Sequence, residues 1–115
     1  MPTKDQTVAF LSDQLSHVED LSIRKMFGEY GIWVGAKTVG LVCDDQLFIK
    51  PTAAGRALAQ NAPDAPPYRG AKPSMLIDAE LWDDADWLCD LVRATAEALP
   101  MPKPKKPKSP RRIDS

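Results

Sequence analysis

Glycines at positions 28, 31, 35 and 40 punctuate a stretch from Ile23 to Lys50 that is otherwise rich in aromatic and β-branched residues. Glycine is costly inside a helix, whereas β-branched and aromatic side chains suit a pleated surface, so the stretch reads as consecutive strands. Gly35-Ala36 predicts a two-residue hairpin turn, because glycine at the first central position meets the backbone demand of a type II′ turn. In that register Ile32 opposes Val39, Gly31 opposes Gly40 and Tyr30 opposes Leu41. Asp44-Asp45 predicts the next turn, with Val42 opposite Leu47 and Leu41 opposite Phe48. Alternation then puts Tyr30, Ile32, Val34, Val39, Leu41, Cys43 and Phe48 on one face and Trp33, Val42, Leu47 and Ile49 on the other. Both faces are apolar in the middle, where a half-solvated antiparallel sheet would show one polar side. Either helices cover both faces, or a partner or second copy covers one.

The flanking segments supply helices. Thr3 and Gln6 have capping-box spacing, and Val8, Leu11, Leu15 and Val18 recur at three and four residues, predicting a helix over 4–18. Pro51 ends the meander. Thr52 predicts the cap of a short helix from Ala53 to about Gln60, weakened by Gly55. Residues 61–73 hold four prolines and Gly70 and read as loop. Ser74 to Ile77 reads as a short strand. Asp83 predicts the cap of a last helix with an apolar stripe of Trp87, Leu88, Leu91, Val92, Ala96 and Leu99. The expected fold is a single α+β domain over 1–100, an antiparallel β-meander flanked by an N-terminal, a short middle and a C-terminal helix. A chain of 115 residues has room for one such core.

The formal charge of -1 conceals an uneven distribution. Positions 1–102 carry 9 basic and 15 acidic residues, a net of -6, while Lys103, Lys105, Lys106, Lys108, Arg111 and Arg112 follow among prolines. Such a composition cannot bury enough apolar surface to fold, so 101–115 reads as a disordered tail. Its extended cations form a candidate contact for nucleic acid, sequence-nonspecific and salt-dependent. Cys43 and Cys89 lie far apart without metal-binding spacing and read as buried free thiols. The sequence shows neither a signal peptide nor a membrane span, and a cytoplasmic location is expected.

A search for catalytic constellations returns little. His17 has no partner motif, the serines lack a nucleophile-elbow context, and Gly28-Glu29-Tyr30-Gly31 is too short for a phosphate loop. Asp83, Asp84, Asp86 and Asp90 fit a helix start better than a cation site. No catalytic residue, metal ligand, cofactor or small-molecule substrate is identified. Arg24, Lys25 and Trp33 form the candidate interaction surface, since basic groups next to an aromatic ring suit contact with another macromolecule.

Arg24-Lys25-Met26-Phe27-Gly28-Glu29-Tyr30-Gly31-Ile32 closely resembles the opening of the N-terminal domain of the TfoX/Sxy family. That opening has a basic pair, Met-Phe-Gly, one variable residue and Tyr-Gly. Val39 to Lys50, Ala71-Lys72-Pro73 and the helix from Asp83 to Leu99 follow in the family's order. The resemblance makes Gly28, Tyr30 and Gly31 motif positions of structural character. It implies a regulatory or interaction module like the N-terminal part of regulators of DNA-uptake competence genes, without their C-terminal helical domain. It is expected to be non-enzymatic and to work through a protein partner or self-association. Two other readings are a small nucleic-acid-binding protein in its own right, and an enzyme with a site under the 63–73 loop, where Tyr68, Arg69 and Lys72 lie.

Overall fold

The computed structural model describes residues 3–26 and 29–101. Phe27, Gly28 and the tail cations from Lys103 to Arg112 lie outside the described residues. The elements run α1 (Asp5–Gln14), β1 (Leu21–Met26), β2 (Glu29–Val34), β3 (Lys37–Cys43), β4 (Gln46–Ile49), α2 (Ala53–Leu58), β5 (Asp64–Ala65), β6 (Ser74–Ile77), a 3-10 turn (Ala79–Asp83) and α3 (Ala85–Ala98). Six antiparallel strands form one sheet in the order β1-β2-β3-β4-β6-β5. The α+β meander with three helices is the architecture expected from the sequence.

Both turns form as read: Gly35 has φ +60°, and Asp44 and Asp45 take φ of 53° and 60°. The register between β2 and β3 corrects the expectation. Val34 pairs with Lys37 and Trp33 with Thr38, but Ile32 then pairs with Gly40, Gly31 with Leu41 and Tyr30 with Val42. The irregularity between Ile32 and Trp33 leaves Val39 as an extra residue, and one extra residue reverses the facing of everything beyond it. Val42, Leu47 and Ile49 therefore join Tyr30 and Ile32 on one face, while Leu41, Cys43 and Phe48 join Trp33 on the other. The pairing of Val42 with Leu47 and Leu41 with Phe48 across the second turn is as expected.

The helices all pack on the face of Tyr30 and Ile32. One core unites Leu11, Leu15 and Val18 with Ile32, Val42, Leu47, Ile49, Met75 and Ile77, and with Leu88, Leu91, Val92 and Ala96 of α3. Burying such side chains stabilises by about 2 kcal/mol each before conformational entropy is set against them. Thr95 of α3 is fully buried and its hydroxyl has no hydrogen-bond partner among the described residues. Thr95→Val removes that unsatisfied group at nearly constant shape. It should stabilise the protein by about 1 kcal/mol, read as a higher urea midpoint at unchanged slope.

Helix boundaries differ from the sequence reading for local reasons. α1 stops at Gln14, although Leu15 and Val18 remain buried in the chain that leaves it. Thr3 and Gln6 do not form a capping box. Lys4 is the N-cap without a side-chain cap, and Asp45 of the β3–β4 turn instead accepts from Lys4 N (2.8 Å) and Thr7 Oγ1 (2.8 Å). Thr52 caps α2 as expected, through Gly55 N at 2.9 Å, but the helix ends at Leu58. Asp84, not Asp83, caps α3, because the 3-10 turn takes up the preceding residues. The proline-rich stretch contains the two-residue β5, which pairs Asp64 with Met75 and Ala65 with Ser74.

Candidate interaction surface

The sheet face turned away from the helices carries Arg24 and Met26 from β1, Glu29, Gly31 and Trp33 from β2, Leu41 and Cys43 from β3, and Phe48 from β4. Across Gly31 the missing side chain is used: a Cβ there would lie 2.6 Å from two carbons of the Trp33 ring and 3.4 Å from the Met26 methyl. The far edge of the indole thus lies over Gly31 of the Tyr-Gly motif. Arg24 stacks on Trp33, its guanidinium carbon 4.3 Å from the ring centroid. Such a pair contributes about 0.5–1 kcal/mol when exposed, and it fixes the ring's outward face.

Beside this pair an open groove of about 570 Å³ is lined by Met26, Glu29, Tyr30, Leu41, Cys43, Asp44, Pro67 and Tyr68. Its walls are mostly apolar. The loop between β5 and β6 brings Pro67 and Tyr68 over the sheet, and Tyr68 remains 61% exposed, unusual for a large aromatic side chain. Met26, touching both Gly31's vacant side and the groove, makes the Trp33 platform and the groove one continuous surface.

Glu29 and Asp44 line the end of the groove by the β3–β4 turn, and Asp45 follows in the turn outside the lining. Glu29 accepts from Thr3 N (3.0 Å) and Asp44 N (3.1 Å). Burial alone would push its carboxyl up, but these hydrogen bonds outweigh it and hold Glu29 below its ordinary value. Asp45, bonded by Lys4 and Thr7, is likewise held low. Groups with depressed pKa contribute stability that is present above their unfolded values and lost as pH falls through the folded ones. Thermal melts should therefore show stability falling from about pH 4.5 downward, and Glu29→Gln should flatten part of that fall.

Cys43 lies at the floor of the groove as a free, buried thiol. Burial pushes its pKa up, and the neighbouring Glu29 and Asp44 charges push it further, so the thiol is neutral and a weak nucleophile near pH 7. Cys89 is buried on the helix side and donates to Gln14 O at 3.3 Å. His17 is exposed near Arg93, whose guanidinium donates to its carbonyl at 2.8 Å. Among the described residues there is no group of three or more His, Cys, Asp or Glu placed to hold a metal ion.

Of the residues expected from the sequence to form a surface, Arg24 and Trp33 come together and Lys25 does not. Lys25 is exposed on the helix side, opposite Tyr30, whose hydroxyl reaches Asp5 of α1 at 3.4 Å. Trp33 does not pack under a helix. Tyr30 reaches α1 through its hydroxyl and also borders the groove, while Gly31 lies beneath the indole. Met26, Leu41 and Cys43 are groove residues that sequence reasoning missed; Leu41 and Cys43 were hidden by the one-residue register slip at Val39, whereas Met26 lies in β1 on the same face as Arg24. Tyr68 lines the groove, while Arg69 and Lys72 are exposed and stand outside its lining.

No helix among the described residues is long and apolar enough to cross a membrane. A model of the TfoX N-terminal domain matches residues 13–99. An "uncharacterized 12.7 kDa protein in trpE 5′ region" of Spirochaeta aurantia is 40% identical over 109 residues, spanning 95% of this chain and 94% of that protein.

Proposed function

The chain belongs to the TfoX N-terminal domain family, and from that premise we propose that it is a non-enzymatic regulatory module related to the regulators of DNA-uptake competence genes. It acts by presenting the open sheet face to a protein partner. The observation that carries this reading is the Trp33–Met26–Tyr68 surface: a half-buried indole and an exposed Tyr68 beside a mostly apolar groove, on a sheet backed by the core. Aromatic residues and arginine dominate the energetics of protein interfaces, and Arg24 and Trp33 are already held in one arrangement before binding. The groove's only thiol is kept protonated by its surroundings, which favours a binding role over a nucleophilic one.

A body of net charge -6 favours protein contacts over docking on DNA, and it leaves any nucleic-acid contact to the six tail cations. Transcript profiles of the native host with and without the gene test the regulatory role. A reproducible set of changed transcripts, restored by the full chain, is expected. Reproducible turnover of a substrate that a point substitution inside the fold abolishes would overturn the reading.

A further inference from the structure

We propose that the chain's own segment 102–112 docks on the open sheet face, as an extended proline-rich ligand of the groove that Tyr68 lines beside Trp33. Three independent features meet in this assignment. The first is spacing: Pro104, Pro107 and Pro110 recur every three residues. A polyproline II helix has three residues per turn, so all three rings share one edge and the lysines and arginines occupy the others. Aromatic-lined grooves take such a ligand because its backbone is already extended and loses little entropy on binding. Tyr30, Tyr68, Pro67, Met26 and Leu41 line such a surface, and the Trp33 ring lies beside it over Gly31.

The second feature is charge. The segment carries six cations, and the body from which it emerges has a net charge of -6. Glu29 stands at the far end of the groove, and its carboxyl is held anionic by Thr3 and Asp44. Arg24, the cation at the near end, is already stacked on Trp33.

The third is reach. The last turn of α3 is tied to the β2–β3 hairpin, where Lys37 Nζ donates to Ala96 O at 2.7 Å. The chain therefore leaves the helix beside the β2–β3 hairpin end of the sheet, on the face opposite Trp33. From Val34 to Glu29 the strand advances about 17 Å. Nine extended residues beyond Met101 cover about 28 Å, enough to round the hairpin and run along the face toward the carboxylate end.

Docked there, the segment covers the surface assigned above to a partner, which must displace it. That regulatory consequence rests on the proposed function; the docking does not.

Nuclear magnetic resonance on the full chain tests it, comparing wild type with Pro104→Ala/Pro107→Ala/Pro110→Ala and with Tyr68→Ala. Expected are nuclear Overhauser contacts from the tail prolines to the Trp33 and Tyr68 rings. Amide shift differences between wild type and the triple variant should centre on Met26, Gly31, Leu41 and Tyr68, unchanged on tenfold dilution, and Tyr68→Ala should weaken the contacts. Tail substitutions that move only the tail's own resonances would overturn the proposal. So would contacts that fade on dilution, which would assign the face to the tail of a second copy. Wild-type regulation lost on altering Trp33 and Tyr68, with no tail contact observed, would remove the docking and leave the proposed function standing.

Discussion

Gly40→Ala is expected to cost about 3 kcal/mol of folding stability, the upper range for overpacking a well-filled interior. A Cβ at position 40 would lie 2.3 Å from the carbonyl oxygen of Phe48, 3.0 Å from the Ile49 Cδ1 and 3.4 Å from the Ile49 Cα. The first of these is backbone of the neighbouring strand, which cannot turn aside as a side chain could. Gly40 also pairs with both Ile32 and Ile49 directly after the bulge at Val39, so β2, β3 and β4 must all adjust. Urea unfolding of the variant should show a large drop in midpoint, or the protein should fail to accumulate in folded form. A variant as stable as wild type would mean that β3 and β4 do not approach as closely as described.

Gly31→Ala is expected to cost about 2 kcal/mol and to disturb the surface as well as the fold. Here the clash is with the Trp33 ring at 2.6 Å, a side chain with room to swing outward. Its displacement breaks the stacking of Arg24. The variant should therefore combine a lowered urea midpoint with a red-shifted tryptophan emission already present in the folded state. The Tyr-Gly pair thus does two jobs on two faces: Tyr30 reaches α1, and Gly31 makes the bed for Trp33.

The element sequence was legible from the chain because its signals are local. Glycine and aspartate mark the two hairpin turns, Thr52 caps α2, and the stripe from Trp87 to Leu99 marks α3. What local pattern could not supply was the bulge. Turn chemistry set the register as far as Thr38, and nothing in Val39 itself announces that it is an extra residue. That single slip exchanged the two faces beyond it, hiding Leu41 and Cys43 from the candidate surface and burying Val42 and Ile49 under helices. Lys25 was misplaced for the simplest geometric reason, since neighbours in a strand point to opposite faces. Helix ends moved where tertiary contacts outbid local ones, as when Asp45, distant in sequence, took over the start of α1. Tyr68 was visible only as part of a proline-rich loop; its place over the sheet depends on β5 and β6 pairing beside β4.

The claim on which the functional reading turns is that the open face, not the helix-covered one, is where this module works. Complementation in the native host tests it directly, using Trp33→Ala/Tyr68→Ala against an exposed helix-side control, Arg93→Ala, with the urea midpoint of each variant measured alongside. The expected result is that the control restores the transcript profile while the double variant, folded and expressed at the same level, does not. Full restoration by the double variant would contradict the assignment of function to this face.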